Sequence, residues 1–564
     1  MVRLFKTNNI RKIEEISGLW DFNVAGSDTV CKMPVPACWE MFPGYETFRG
    51  QAVYRKTVTI TEQTNLRLVF KGVSHTGRVF FNGVYIGEHY NAYTPFDFVI
   101  PNVTPGEHEI KVEVDNSFGE HSALHMHNDY YTYGGITRPV VIEYLPNAYI
   151  ERIEFIPTHN GTVWTAAIKA YVKQISNFNG TPTVRGKIND INFELTKNDE
   201  IDDYIIFSTT ITVANAKAWS TEDPNLYLLN LTLLENGTAI DDLIERVGFR
   251  EVTVQGEKIL LNGKQIFLTG FNRHEDHAGY GCAIGFTALM KDISLLKDLN
   301  SNTVRTSHYP NDELFLDLCD EHGLYVWEEN HARGLSLEKM QNPNFEKQCY
   351  DCNDEMVKNH FNHPSIIIWG ILNECASNCA EGREMYAKQI AQIKALDATR
   401  LVSFATHFKY RDVCLDLPDI VSWNLYYGWY DDPRTAQLLG KNEYSSAEAF
   451  AKLVEYSDND GGAGKPMLIT EFGAGAIPGY RDRRRVKWSE ERQCDILEDN
   501  LNLYLNHERL SGAIIWQFCD CLVTEGQWFA QRPRTKNNKG VVDEFRRPKL
   551  AYDTVKNMFG ENKR

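Results

Sequence analysis

Two glutamates stand at the ends of strongly apolar runs: Glu374 follows Ile366–Leu372 through Asn373, and Glu471 follows Met467–Thr470 directly. A lone carboxylate in such a place is ordinarily a neighbour of a helix cap or half of a surface ion pair. Two of them across one mouth are disposed for acid–base work. Carboxyl groups about 5–5.5 Å apart can cleave a glycosidic bond with retention, one attacking the anomeric carbon while the other protonates the leaving oxygen. The charge of the first raises the pKa of the second and keeps it protonated.

The ends of other apolar runs carry further chemistry. One run leads into Asn272-Arg-His-Glu-Asp-His277, another into Arg305-Thr-Ser-His308, and a third into Glu328-Glu-Asn-His331-Ala-Arg333. Tyr426-Tyr-Gly-Trp-Tyr430 and Trp516 close two more. Converging carboxylates, imidazoles and aromatics are a poor way to stabilise a fold, because each buried charge needs a partner. A catalytic cleft accounts for them better.

The elements that must position these groups are eight short runs after Gly256: Gln265–Phe271, Thr303–Ser307, Tyr325–Glu328, Ile366–Leu372, Leu401–Ala405, Ile420–Leu425, Met467–Thr470 and Gly512–Phe518. Amphipathic helices separate several of them. Thr287–Leu299 puts Met290, Ile293, Leu296 and Leu299 on one side, and Asn311 and Gly323 read as the cap and stop of the next helix. Eight βα units make a closed (β/α)8 TIM barrel whose site lies at the C-terminal ends of the strands. Strands four and seven then face each other across the mouth.

Upstream the period is two. Runs such as Tyr54–Ile60 and Leu66–Phe70, with turn signals at Asn82-Gly83 and Pro105-Gly106, indicate an N-terminal jelly-roll β-sandwich. Runs at Thr162–Ile168 and Leu226–Leu233 indicate an immunoglobulin-like sandwich. The expected domains are 1–147, 148–250 and 251–564.

Composition is that of a globular protein, with 43% hydrophobic, 24% charged and 12% aromatic residues. A net charge of −17 argues against a nucleic-acid partner. No apolar stretch suits a signal peptide or a membrane span, so the expected location is cytoplasmic, where the 12 cysteines would be reduced thiols. Cys349-x-x-Cys352 and Cys375-x-x-x-Cys379 lack a histidine at a zinc-finger spacing. No cofactor and no metal are expected.

Trp369-Gly-Ile-Leu-Asn373-Glu374 and Ile469-Thr-Glu471-Phe-Gly resemble the acid/base and nucleophile motifs of glycoside hydrolase family 2. Gly270-Phe-Asn-Arg-His-Glu-Asp276 and Val304-Arg-Thr-Ser-His-Tyr-Pro310 are similar to two further family motifs. Phe81-Asn-Gly with Tyr93-Thr-Pro-Phe96 resembles the family's sugar-binding sandwich, and Asp223-Pro-Asn-Leu-Tyr227 with Gly248-Phe-Arg250 its immunoglobulin-like module. The resemblance spans the chain and implies Glu374 as acid/base and Glu471 as nucleophile.

Within that family, Asn537-Asn-Lys539 resembles the Asn-x-Lys element by which β-glucuronidases hold the C6 carboxylate, with Arg532 or Arg534 as a further contact. The resemblance also brings Asp129, His308, Asn373, Tyr426 and Tyr430 to the sugar. Trp516 would be an aromatic floor for a pyranose face. The basic clusters Arg481–Lys487 and Arg532–Lys549 suggest a cationic mouth for anionic substrates. Arg333 departs from the glucuronidase pattern and would reach the C4 region, so glucuronide and galacturonide both stay open. The segment Leu335–Lys358 is short and suggests an open leaving-group side. The expected activity is therefore retaining exo-hydrolysis of terminal β-D-hexuronides, monomeric or in oligosaccharides, by a dimer or tetramer. A β-galactosidase with metal ligands near Glu328 and His331 and a non-catalytic carbohydrate-binding protein are the alternatives.

Overall fold

The computed structural model describes residues 2–175, 181–441 and 443–562. In the first domain a four-stranded antiparallel sheet, containing Thr64–Phe70 and Phe96–Val103, faces a six-stranded one containing Gln51–Ile60 and Gly106–Asp115. Alternation along Gln51–Ile60 buries Ala52, Tyr54, Val58 and Ile60, which join Trp20, Phe22, Leu66 and Leu68 between the sheets. Asn82 and Gly83 both take positive φ (49° and 78°), the backbone twist that a tight hairpin demands.

The second domain is a seven-stranded sandwich over residues 148–247. Its strand Ile191–Ile201 pairs with one layer through its first half and with the other through its second, around a register shift at Lys197–Asp199.

The barrel closes in sequence order through β1 (Leu268–Asn272), β2 (Thr303–Thr306), β3 (Tyr325–Glu329), β4 (Ile366–Gly370), β5 (Leu401–Thr406), β6 (Ile420–Asn424), β7 (Met467–Glu471) and β8 (Leu510–Ile515). β4 is buried at every position, as a strand covered on both faces requires. The first run differs from expectation: Lys264–Ile266 belongs to a small three-stranded sheet, and the barrel strand starts at Leu268. The regular alternation also breaks once. Residues 407–419, between β5 and β6, form no helix, and the chain turns back to the barrel through an irregular loop.

The helix after β2 spans Glu313–His322. Its cap is Asp312, whose carboxylate accepts from the Leu314 amide, rather than Asn311. The Asn311 carboxamide instead accepts from Arg273 at 2.9 Å. Gly323 ends the helix at φ +65°, where a side chain would be strained. All twelve cysteines are free thiols. Among the described residues no helix is long and apolar enough to cross a membrane.

Candidate active site

Arg305, on β2, organises the mouth. It is fully buried, and its guanidinium donates to both oxygens of Glu329 (2.9 and 3.0 Å), to Asn272 (2.8 Å), to Asn373 Oδ1 (2.8 Å) and to Glu471 Oε1 (2.9 Å). All five N–H donors are engaged. Glu471 Oε2 accepts from the Tyr426 hydroxyl at 2.7 Å. Burial, then the charge of Glu471, pushes the Tyr426 phenol well above its usual pKa, so it stays a donor.

Glu374 sits one residue past Asn373, with φ of +53°. A non-glycine residue held there costs roughly 1–3 kcal/mol and must be fixed by its surroundings. The Glu374 amide donates to Ala405 O (2.9 Å), while Arg333 and Asn373 form a parallel bridge that sets Arg333 beside the carboxylate. Glu374 Oε1 accepts from Asn424 Nδ2 at 2.9 Å, and its Oε2 lies 3.7 Å from both Arg333 and His407.

The pair's ionisation runs opposite to the sequence expectation. Burial and the charge of Glu374 raise Glu471 to about 7, against Arg305 and Tyr426. Burial also works against ionised Glu374, but His407, Arg333 and the Asn424 amide outweigh it and hold Glu374 at about 2. The proton therefore lies on the Glu471 side of the pair, because three cationic or polar groups, His407, Arg333 and the Asn424 amide, face Glu374 while Arg305 is divided between Glu471 and Glu329.

His308 and Trp516 stack with centroids 4.9 Å apart. The His308 Nδ1 contacts Glu329 at 2.7 Å, and its Nε2, buried and without a hydrogen-bond partner among the described residues, is 3.9 Å from Glu471. Burial, then Arg305 and Arg333, pushes the imidazole well below its usual pKa, so it is neutral. Asn373 Nδ2 is likewise buried and unpartnered.

The first domain completes the site. Its Asn128 accepts from Arg333 (2.6 Å), and Tyr130 contacts His331 Nε2 (3.0 Å). Both oxygens of Asp129 accept from one edge of the Arg532 guanidinium, through Nε and Nη2, and Asp129 also accepts from Asn537 Nδ2 at 3.0 Å. Arg534 turns to Glu544 (2.6 Å) with its side chain 41% exposed, whereas Arg532 also reaches the Tyr430 hydroxyl at 3.4 Å.

Lys539 is 3% exposed and has no carboxylate partner among the described residues. Its ammonium lies 5.6 Å from the Tyr426 ring centre and 5.3 Å from that of Tyr430. Burial would raise the Tyr430 phenol, but Lys539 and then Arg532 bring it down to about 8. The expected cationic mouth is narrower than the sequence suggests. Arg481, Arg484 and Arg485 form exposed ion pairs with Glu491, Asp482 and Asp495, while Lys487 lies 4.7 Å from the Trp429 ring centre.

The three domains match, in order, the sugar binding domain of glycosyl hydrolases family 2 over 14–146, the family's second module over 148–250, and its TIM barrel domain over 252–563. The chain belongs to glycosyl hydrolases family 2. As a member it is a glycoside hydrolase. It is similar to a β-galacturonidase from Eisenbergiella tayi, solved bound to galacturonate, with 46% identity, 100% of this chain and 99% of that one covered, and a TM-score of 0.93. A β-glucuronidase from Streptococcus agalactiae is 26% identical over 95% of this chain and 96% of its own. A solved β-D-glucuronidase from Dictyoglomus thermophilum is 25% identical, covering 100% and 98%, with a TM-score of 0.85.

Sequence reasoning did not single out Arg305, Asn424 or His407 as site residues. Arg305 and Asn424 were legible in principle, since each lies at the C-terminal end of a barrel strand, where function collects. His407 directly follows β5 and carried the same positional signal, at the start of the helix-free loop.

Proposed function

We propose that this glycoside hydrolase cleaves terminal β-D-hexuronides with retention, and that galacturonides are its preferred substrates. Lys539 carries the reading. A buried ammonium with no carboxylate partner among the described residues, beside Asn537 and two tyrosines, suits a uronate and leaves a neutral hexose facing an uncompensated charge. The preference for galacturonide over glucuronide draws on the 46% identical β-galacturonidase and on Arg333, whose buried Nε has no hydrogen-bond partner among the described residues. The β-galactosidase alternative finds less support, because Glu328 is engaged by His360 (3.0 Å) and the Asn311 amide (3.1 Å), and His331 by Tyr130.

In this reading Glu471 attacks the anomeric carbon, forming an ester as the glycosidic bond breaks, and Glu374 gives its proton to the departing oxygen. Glu374 then takes a proton from water, which attacks the ester and releases Glu471. The proton must sit on Glu374 in the first step. Positive charge developing at the anomeric carbon favours ionised Glu471 and draws the shared proton across. Asn373 Nδ2 and His308 Nε2, both without hydrogen-bond partners among the described residues, are available to sugar hydroxyls.

Turnover of nitrophenyl β-galacturonide, β-glucuronide and β-galactoside, measured side by side, tests the proposal. We expect kcat/KM to fall in that order. A galactoside preferred over both uronides would overturn it, and a glucuronide preferred over galacturonide would remove the C4 assignment alone.

A further inference from the structure

The helix-free loop after β5 and the segment after β6 enclose a groove of about 300 Å³ that shares Asn424 and His407 with the surroundings of Glu374. It therefore borders the carboxyl group that would protonate a leaving group, and meets the surroundings of Lys539 at Tyr426 and Tyr430. Its volume is at the lower end of the range for small-molecule sites and suits one ring-sized group.

The groove differs in charge from the uronate site. Lys409 is already paired with Asp432, which also caps the helix Pro433–Leu439 through the Thr435 amide. Asp431 is exposed and has no ion pair or hydrogen bond among the described residues, so it presents a free carboxylate to the groove, with His407 at the Glu374 end. Tyr430, 44% exposed, and Tyr444 supply aromatic surface, and the Tyr444 hydroxyl is tied to the Asp432 carbonyl at 3.2 Å. Aromatic surface with a free carboxylate matches a pyranose, whose apolar face stacks while its hydroxyls donate. A second uronate would meet Asp431 as a like charge.

We propose that this groove is the leaving-group subsite and that it takes a neutral pyranose, so that the natural substrates are hexuronyl–neutral-sugar linkages rather than diuronides. This rests on the hexuronidase reading above. The test compares kcat/KM on two disaccharides with the same β-linked terminal hexuronide, one followed by a neutral hexose and the other by a uronic acid, with the nitrophenyl hexuronide alongside.

The wild type should favour the neutral disaccharide by about tenfold or more, the scale of a single unfavourable charge juxtaposition. Asp431→Asn should shrink that ratio at least several-fold, chiefly by improving the diuronide, and Tyr444→Ala should lower the neutral disaccharide more than the nitrophenyl substrate. Equal turnover of both disaccharides by the wild type, or an unchanged ratio in correctly folded Asp431→Asn, would overturn the subsite assignment while leaving the hexuronidase reading intact. Failure on all three hexuronides would overturn that reading itself.

Discussion

Removing the Lys539 ammonium should separate charged from neutral substrates. The side chain is 3% exposed, lies against the rings of Tyr426 and Tyr430, and has no carboxylate partner among the described residues. A uronate bound there exchanges water for one strong ion pair in a dry pocket. Lys539→Ala leaves that carboxylate desolvated without its partner, a loss of about 2–5 kcal/mol. At about 1.4 kcal/mol per factor of ten, kcat/KM for hexuronides should fall roughly 30- to several-thousand-fold. A matched β-galactoside carries no such charge, and its weak turnover should hold or rise. The assay is kcat/KM on both nitrophenyl substrates, with circular dichroism and Tm confirming that the variant folds. An equal loss on uronide and hexoside would show Lys539 to be structural and refute the reasoning.

Further expectations follow from the same geometry. Glu374→Gln and Glu471→Gln should fold normally and lose at least about 10²–10⁴-fold in kcat, and near-wild-type turnover in either would contradict their roles. Because the coupled carboxylates hold one proton between about 2 and about 7, kcat/KM should fall as pH rises through about 7; a profile flat beyond pH 8 would refute the shared proton. Arg333→Ala removes a cation that favours ionised Glu374, so Glu374 rises and the acid limb should move towards neutrality; an unmoved limb would contradict that influence. Arg305→Leu strands buried Glu329 and Glu471 and should destabilise by about 3–5 kcal/mol, read by denaturant unfolding, with a loss under 1 kcal/mol counting against it.

The barrel was legible because its strands are covered on both faces and read as unbroken apolar runs, as in Ile366-Ile-Ile-Trp-Gly370. Glu374 and Glu471 were legible as a pair, because two carboxylates straight after such runs on strands that face each other are harder to explain structurally than either alone. Which neighbour each charged group chooses was not. Arg532 and Arg534 are two residues apart, yet one clamps Asp129 across a domain boundary and the other turns to Glu544. Arg481, Arg484 and Arg485 looked like a cationic mouth until Glu491, Asp482 and Asp495 were brought beside them. The reversed ionisation has the same origin, since Arg333 and His407 reach Glu374 from strands three and five through tertiary packing alone. A shift of one residue separates the expected cap Asn311 from the true cap Asp312, because either side chain can accept an amide hydrogen and only the backbone decides.

Proton NMR of the first-formed product from a β-galacturonide tests the central claim most directly, since it requires both the proposed substrate and the proposed pair of carboxylates. If Glu471 forms a covalent intermediate that Glu374 then helps water to open, the β anomer of galacturonic acid must appear first and mutarotate afterwards. An α anomer appearing first would mean direct displacement by water and contradict the assignment of Glu471 as nucleophile.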